Sequence, residues 1–514
     1  MWIARVGIAV MVAANLAPQS APVVEVTGGR IRGERLSAGG AVFKGVPYAR
    51  PPTGNLRWRE PMPVRAWTGT RDATTFGPIC PQNPSATIPN SQDLINEDCL
   101  YLNVWAPEWP MLGARPVLLW LPGGGNINGG TSELRHSGQL ISQRGIVVVT
   151  ANYRLGSFGF FSHPALSAES PRRTSGNQAL LDQVAALEWV RANVARFGGD
   201  PNAITIAGVS AGGIDISALM TSPLTRGRFA RAIVQSGPAR NALGDPLTLA
   251  EAEQRGAAHT VTWGASPGAS LRELRAIPMA VILKAQPLRP VPHLNLSVDG
   301  QVVPTAPADV FASGRQHPAP MIMGSAARDF TPGAQPPTHL AALIEENYGP
   351  LADRARTLYA ADDALYGAPE VQWATDLGFR CGTVLQLQQH AAAGQTAFSY
   401  EFARLVNPPI LPGGNIHGLD GGFVFGTFAS RSQGTNLLPF ATTPEDSALS
   451  DVMQRYWVNF VKTGDPNGPG LPRWPTFREP ERSYLELAGT GAALKQGLRR
   501  AQCDLYSENI NRSR

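Results

Sequence analysis

The most constraining stretch of the chain is Ile204-Thr205-Ile206-Ala207-Gly208-Val209-Ser210-Ala211-Gly212-Gly213. A β-branched run ends in Gly-x-Ser-x-Gly, and the helix-compatible residues Ile216, Leu219 and Met220 follow. That order predicts a strand, a sharp turn carrying a strained serine, and a helix, the arrangement that projects a serine oxygen into a cleft. Small residues must flank such a turn, which accounts for Gly208 and Gly212. The helix after Ser210 aims its first N–H groups at the same cleft and favours negative charge there. In a chain with 54 glycines the motif alone also arises by chance, so its weight comes from the strand before it and the helix after it.

The surrounding pattern predicts an α/β fold. Val117-Leu118-Leu119-Trp120-Leu121 and Ile146-Val147-Val148-Val149-Thr150 are near-continuous apolar runs, as in strands buried on both faces. Leu180, Val184, Leu187, Val190 and Val194 recur at helical spacing, and this amphipathic helix ends near Phe197-Gly198-Gly199-Asp200-Pro201. Ala232-Ile233-Val234-Gln235, Met321-Ile322-Met323 and Ala397-Phe398-Ser399-Tyr400-Glu401-Phe402 read as later strands. Strands alternating with helices imply a central, mostly parallel sheet flanked by helices. Val23 to Arg32 reads as an N-terminal hairpin, and residues 346–394 as helical. The Pro-, Ala-, Leu- and Arg-rich region 239–317 reads as helices and loops inserted over the cleft.

Composition narrows the class. The chain of 514 residues carries a net charge of +5, spread along its length with no basic run interleaved with aromatics, so nucleic-acid binding is not expected. Residues 1–21 combine an early positive charge, a short apolar run from Val6 to Ala14 and small residues after it, which predicts a signal peptide and a secreted or periplasmic protein. The run is too short to span a membrane, and residues 22–514 show no domain boundary. Cys80, Cys99, Cys381 and Cys503 allow three pairings and show no metal-ligand spacing; in an exported protein two disulfides are the economical reading. If Cys80 and Cys99 pair, the turn-rich stretch between them becomes a stapled loop.

A serine hydroxyl needs a base within hydrogen-bond reach. Of eight histidines, His417 stands apart because it lies in the glycine-rich loop Gly413-Gly414-Asn415-Ile416-His417-Gly418 after a predicted strand. An acid must then fix the imidazole, and Asp329, just past the Met321–Met323 strand, falls between serine and histidine in chain order. Gly123-Gly124-Gly125 directly follows the Val117–Leu121 strand. The N–H groups of Gly124, Gly125 and Ala211 are therefore candidates for an oxyanion hole, each donor typically worth about 3 kcal/mol in a transition state. A phosphate-binding loop is the competing reading of these glycines, but neither a following Lys-Ser/Thr nor a dinucleotide fingerprint is present.

With these residues in place the sequence resembles the type-B carboxylesterase/cholinesterase family of the α/β-hydrolase fold. The similarity covers nearly the whole chain after the N-terminal segment. Glu97-Asp98-Cys99-Leu100-Tyr101-Leu102-Asn103-Val104 is similar to one family signature, and Gly208 to Gly213 to the serine signature. Asn152 to Gly156, Gly198 to Pro201, Gln235-Ser236-Gly237, Val424-Phe425-Gly426 and Thr463 to Asn467 match further segments in order. The resemblance implies Ser210 as nucleophile, His417 as base and Gly124, Gly125 and Ala211 as the oxyanion hole. It also implies disulfides Cys80–Cys99 and Cys381–Cys503, and hydrolysis of small-molecule carboxylic esters with no metal or organic cofactor.

Four departures matter. The family acid is usually Glu, whereas Asp329 stands here, one methylene shorter, so its loop must sit closer to His417; Asp420 is the competing carboxylate. Pro122 replaces the His or Tyr that relatives carry before the glycines. The 80–99 loop has no tryptophan and Val209 replaces an acidic residue, which argues against a choline ester. Two alternatives remain at this level: a catalytically silent binding or adhesion protein of the same fold, and the same triad acting on a lipid, lactone, amide or aromatic polyester.

Overall fold

The computed structural model describes residues 20–83, 95–241, 244–330, 339–405, 416–428 and 442–512. The apolar N-terminal run and Gly413 to Asn415 lie outside these residues. Fourteen strands among the described residues run, as β1 to β14, Val23–Val26, Gly29–Arg32, Glu34–Arg35, Ala41–Pro47, Thr70–Asp72, Tyr101–Ala106, Arg115–Leu121, Val147–Ala151, Gly199–Val209, Arg231–Gln235, Met321–Ala326, Ala397–Phe402, Ser483–Ala488 and Gly491–Gln496. β1 and β2 form the expected antiparallel hairpin and join β5 in a small sheet.

The other eleven strands form one sheet ordered β14-β13-β12-β11-β10-β9-β7-β8-β6-β4-β3. The seven strands from β8 across to β13 are parallel, and antiparallel strands finish both sides. The continuous apolar runs are buried on both faces, with every residue of β8 inside. Side chains alternate: Val117, Leu119 and Leu121 join one core, while Leu118 and Trp120 join the other, as a period of two requires.

Helix Gln178–Asn193 packs on the first face and helix Pro444–Thr463 on the second. The spacing of apolar residues predicts a one-sided Gln178–Asn193, yet Gln178, Asp182, Gln183 and Asn193 are buried as well. The outer side of this helix is covered, and three of these polar residues bind the segments that cover it. Asp182 holds Arg154 (Nη2–Oδ1 2.7 Å), Gln178 Nε2 donates to the Trp58 carbonyl (3.1 Å), and Asn193 Oδ1 accepts from the Thr27 N–H (2.7 Å).

The order of the sheet positions the site. β7 lies between β8 and β9, so the chain leaves β7 toward one side of the sheet and leaves β9 toward the other. Such a reversal opens a crevice at the C-terminal ends of the two strands. The inserted region 239–317 forms short helices Leu249–His259, Leu271–Ala276 and Met279–Lys284 around a separate cluster of Trp58, Phe161, Trp263 and Leu274. No helix among the described residues is long and apolar enough to cross a membrane.

Both disulfides implied by the resemblance are present, Cys80–Cys99 and Cys381–Cys503. The second spans 122 residues and fastens helix Arg500–Arg512 to helix Cys381–Ala392. On chain-entropy grounds a loop of this size is worth about 4–5 kcal/mol. Replacing both Cys381 and Cys503 by serine lowers the urea unfolding midpoint well below that of the intact protein; an unchanged midpoint contradicts this account.

Candidate active site

Ser210 stands between β9 and helix Ala211–Leu219 with φ 56° and ψ −125°, a strained conformation for a residue with a side chain. The turn is held by its N–H, which donates to the Gln235 carbonyl (2.8 Å). It is also held by extreme closeness: a Cβ on Gly123 would lie 2.9 Å from Ser210 Cβ, and one on Gly212 would lie 2.3 Å from the Leu121 carbonyl oxygen. The glycines thus let the end of β7 pass directly against the serine turn.

The structure brings Ser210, His417 and Asp329 into one line. Ser210 Oγ is 2.8 Å from His417 Nε2, and His417 Nδ1 contacts Asp329 Oδ1. Asp329 is fully buried. Its Oδ2 accepts from Ser236 Oγ (2.5 Å) and the Ala326 N–H (2.9 Å), and its own N–H donates to Thr375 Oγ1 (2.9 Å). The histidine segment is tied straight to the acid segment, with the Ile416 N–H donating to the Arg328 carbonyl (3.0 Å). This cross-link holds the Asp329 and His417 segments side by side. Phe379 packs on the imidazole with ring centroids 4.8 Å apart.

Asp420, the competing carboxylate, is engaged elsewhere. Its Oδ2 accepts from Gln235 Nε2 and the Tyr400 hydroxyl, both at 2.7 Å. Burial raises its pKa, and these two hydrogen bonds oppose the rise.

Gly124 and Gly125 follow β7 with φ of 128° and 64°, and Asn126 continues at 59°. A Cβ on Gly124 would come within 2.0 Å of the Asn128 carbonyl oxygen, so only glycine fits. The N–H groups of Gly124 and Gly125 have no acceptor among the described residues. Pro122 does not enter this set; its carbonyl accepts from the Tyr153 hydroxyl (2.7 Å).

A family model described as the carboxylesterase family matches residues 20–349 and 350–506. The chain belongs to the carboxylesterase family. It is a carboxylesterase-type hydrolase by this membership and by its relatives. Fumonisin B1 esterase of Sphingopyxis macrogoltabida is 36% identical over 471 residues, covering 89% of this chain and 84% of the relative. Liver carboxylesterase 1 of Oryctolagus cuniculus is 31% identical, covering 96% and 95%. Among solved structures, a PNB esterase superposes with a TM-score of 0.79 at 30% identity, covering 94% of this chain and 99% of that one.

Sequence reasoning missed the residues that surround Asp329 in this carboxylesterase. Ser236 was visible only as part of Gln235-Ser236-Gly237; its φ of 50° turns the hydroxyl under Asp329 at the end of β10. Arg380 donates from Nη2 to the carbonyls of Ala326 (3.2 Å) and Ala327 (2.5 Å). It is paired with buried Asp376 and Glu401, and burial raises Glu401 to about 7 against the pull of Arg380. Nothing in the local sequence links an arginine at 380 to the loop at 326–329. Ser236→Ala removes one of the two donors to Asp329 Oδ2, and a buried acceptor so deprived costs about 1–3 kcal/mol. Chemical denaturation of that variant shows a drop of this size, and an unchanged stability refutes the role given to the hydroxyl.

Proposed function

We propose that the protein is a serine carboxylic-ester hydrolase working through an acyl-enzyme, with Ser210 as nucleophile, His417 as base and Asp329 as orienting acid. The observation that carries this reading is the continuous contact from Ser210 Oγ through His417 to buried Asp329. Asp329 accepts a hydrogen bond from the Nδ1–H of His417, which leaves Nε2 as the acceptor facing the serine hydroxyl. On attack, Ser210 Oγ bonds the ester carbonyl carbon and its proton passes to Nε2. The carbonyl oxygen becomes an oxyanion within reach of the N–H groups of Gly124, Gly125 and Ala211, with the N-terminus of helix Ala211–Leu219 favouring the charge.

Collapse of the tetrahedral intermediate breaks the bond to the alcohol oxygen, which takes the proton from His417. Water then enters, gives a proton to Nε2 and attacks the acyl carbon; in the second intermediate the bond from the acyl carbon to Ser210 Oγ breaks, Oγ takes the proton from His417, and the carboxylic acid leaves. Each step moves one proton through one imidazole, so the chain's own residues suffice. Small-molecule esters are the substrate class supported by the names of the relatives. Two disulfides fit an exported protein, in line with the apolar N-terminal run.

Hydrolysis of p-nitrophenyl esters from acetate to palmitate tests the assignment, with three variants alongside. Ser210→Ala loses at least about 10⁴-fold in kcat, and Asp329→Ala loses about 10³- to 10⁴-fold. Asp420→Asn stays within about tenfold of the parent, since its hydrogen bonds go to Gln235 and Tyr400 and not to the imidazole. Serine-independent turnover, or abolition by Asp420→Asn with Asp329→Ala intact, overturns the triad. The chain-length optimum sizes the acyl site.

A further inference from the structure

Helix Ala211–Leu219, which begins at the serine, carries a fully buried aspartate that the reaction above does not use. Asp215 Oδ1 accepts from Asn126 Nδ2 (3.1 Å), and Oδ2 accepts from Gln183 Nε2 (2.6 Å) of helix Gln178–Asn193. Asn126 is the residue that ends the glycine loop. It is fully buried, and it is held on every polar atom of its side chain. Nδ2 also reaches Asn295 Oδ1 (3.3 Å), and Oδ1 lies 3.2 Å from the Tyr153 hydroxyl that fixes Pro122. Its carbonyl accepts from the Gly156 N–H (2.6 Å).

This set joins two parts that must stay in register. The serine turn runs directly into helix Ala211–Leu219, whereas Gly124, Gly125 and Asn126 form a run of three residues at positive φ. Two of the three proposed oxyanion donors lie on that loop and the third on the helix. Left-handed backbone at a non-glycine residue costs about 1–2 kcal/mol, so the loop needs an external anchor to keep this shape. Across the crevice, Asp215 supplies it from the helix side.

We propose that Asp215 is a positioning residue that, through Asn126, sets the Gly124 and Gly125 N–H groups against the oxygen that forms on the carbon attacked by Ser210. The proposal rests on the reading of Ser210 and the glycine N–H groups given above. Among the described residues the carboxyl meets two neutral amides and no cation, and burial lifts its pKa to about 7 against those two hydrogen bonds. A group so expensive to ionise has no packing advantage over leucine at this site, whereas a two-acceptor side chain bridging Gln183 to Asn126 has a geometric one. Asparagine can replace it: one oxygen still meets Asn126, and a new N–H can meet Gln183 Oε1, a buried oxygen without a partner among the described residues.

The test is steady-state hydrolysis of p-nitrophenyl butyrate by the full chain, with Asp215→Ala, Asp215→Asn, Asn126→Ala, the Asp215→Ala/Asn126→Ala pair and Ser210→Ala. Asp215→Ala and Asn126→Ala each lower kcat about 10- to 100-fold with KM within about twofold, as a misplaced oxyanion donor requires. The double variant falls no further than the worse single one, and Asp215→Asn recovers kcat to within about threefold. Affinity for an aryl trifluoromethyl ketone, whose serine adduct places an oxyanion in the hole, falls in step with kcat. If Asp215→Ala does not fold, Asn126→Ala carries the same comparison from the loop side. Unchanged kcat in the alanine variants, additive losses, a change confined to KM or melting temperature, or no recovery in Asp215→Asn overturns the role of Asp215. Turnover surviving Ser210→Ala instead removes the catalytic reading itself, so the two failures are distinct.

Discussion

The structure depends on one strained residue. Ser210 is forced to φ 56° between a strand buried in the middle of the sheet and a helix that must start at once. That conformation persists because its surroundings leave no alternative. The N–H is taken by the neighbouring strand's end, and Gly123 and Gly212 sit where a methyl group would collide with backbone. The strain is repaid by a fixed oxygen direction, and the other parts of the site are arranged about it.

Around the serine, rigidity comes from polar groups buried in pairs rather than from apolar packing alone. Arg380 ties the loop that carries Asp329 to Asp376 and Glu401, and Arg154 ties the exit of β8 to Asp182. Such pairs contribute little net stability compared with well-packed apolar groups, but removing one partner leaves a costly buried charge. Their value lies in direction. A guanidinium that must meet two carboxylates and two carbonyls admits one loop conformation, and the Asp329 carboxylate inherits that position.

Much of this was legible in the chain. The uninterrupted apolar runs gave the buried parallel strands because a strand covered on both faces has no polar side to show. The glycines at 123–125, 208 and 212 marked close approaches, since their only shared property is the missing Cβ. Asp329 was reachable from its place after β11, and His417 from its glycine setting. Ser236, Arg380, Asp215 and Asn126 were not, because each acts on a residue 50 or more positions away or through a turn whose sign of φ leaves no trace in the local pattern.

The sequence by itself determined the alternation of strands and helices, the strand–serine–helix turn and the set of residues able to form a relay. Those follow from local periodicity and from steric limits on single residues. The tertiary structure alone decided the order of the sheet, in which β7 lies between β8 and β9 and opens the crevice. It also decided which of the two carboxylates contacts the imidazole. Asp420 lies three residues from His417 and Asp329 88 residues away, yet Asp420 turns to Tyr400 and Gln235 while Asp329 meets the imidazole. Proximity in the chain sets only which backbone atoms are near; the direction of a buried side chain is set by the partners that satisfy its polar atoms.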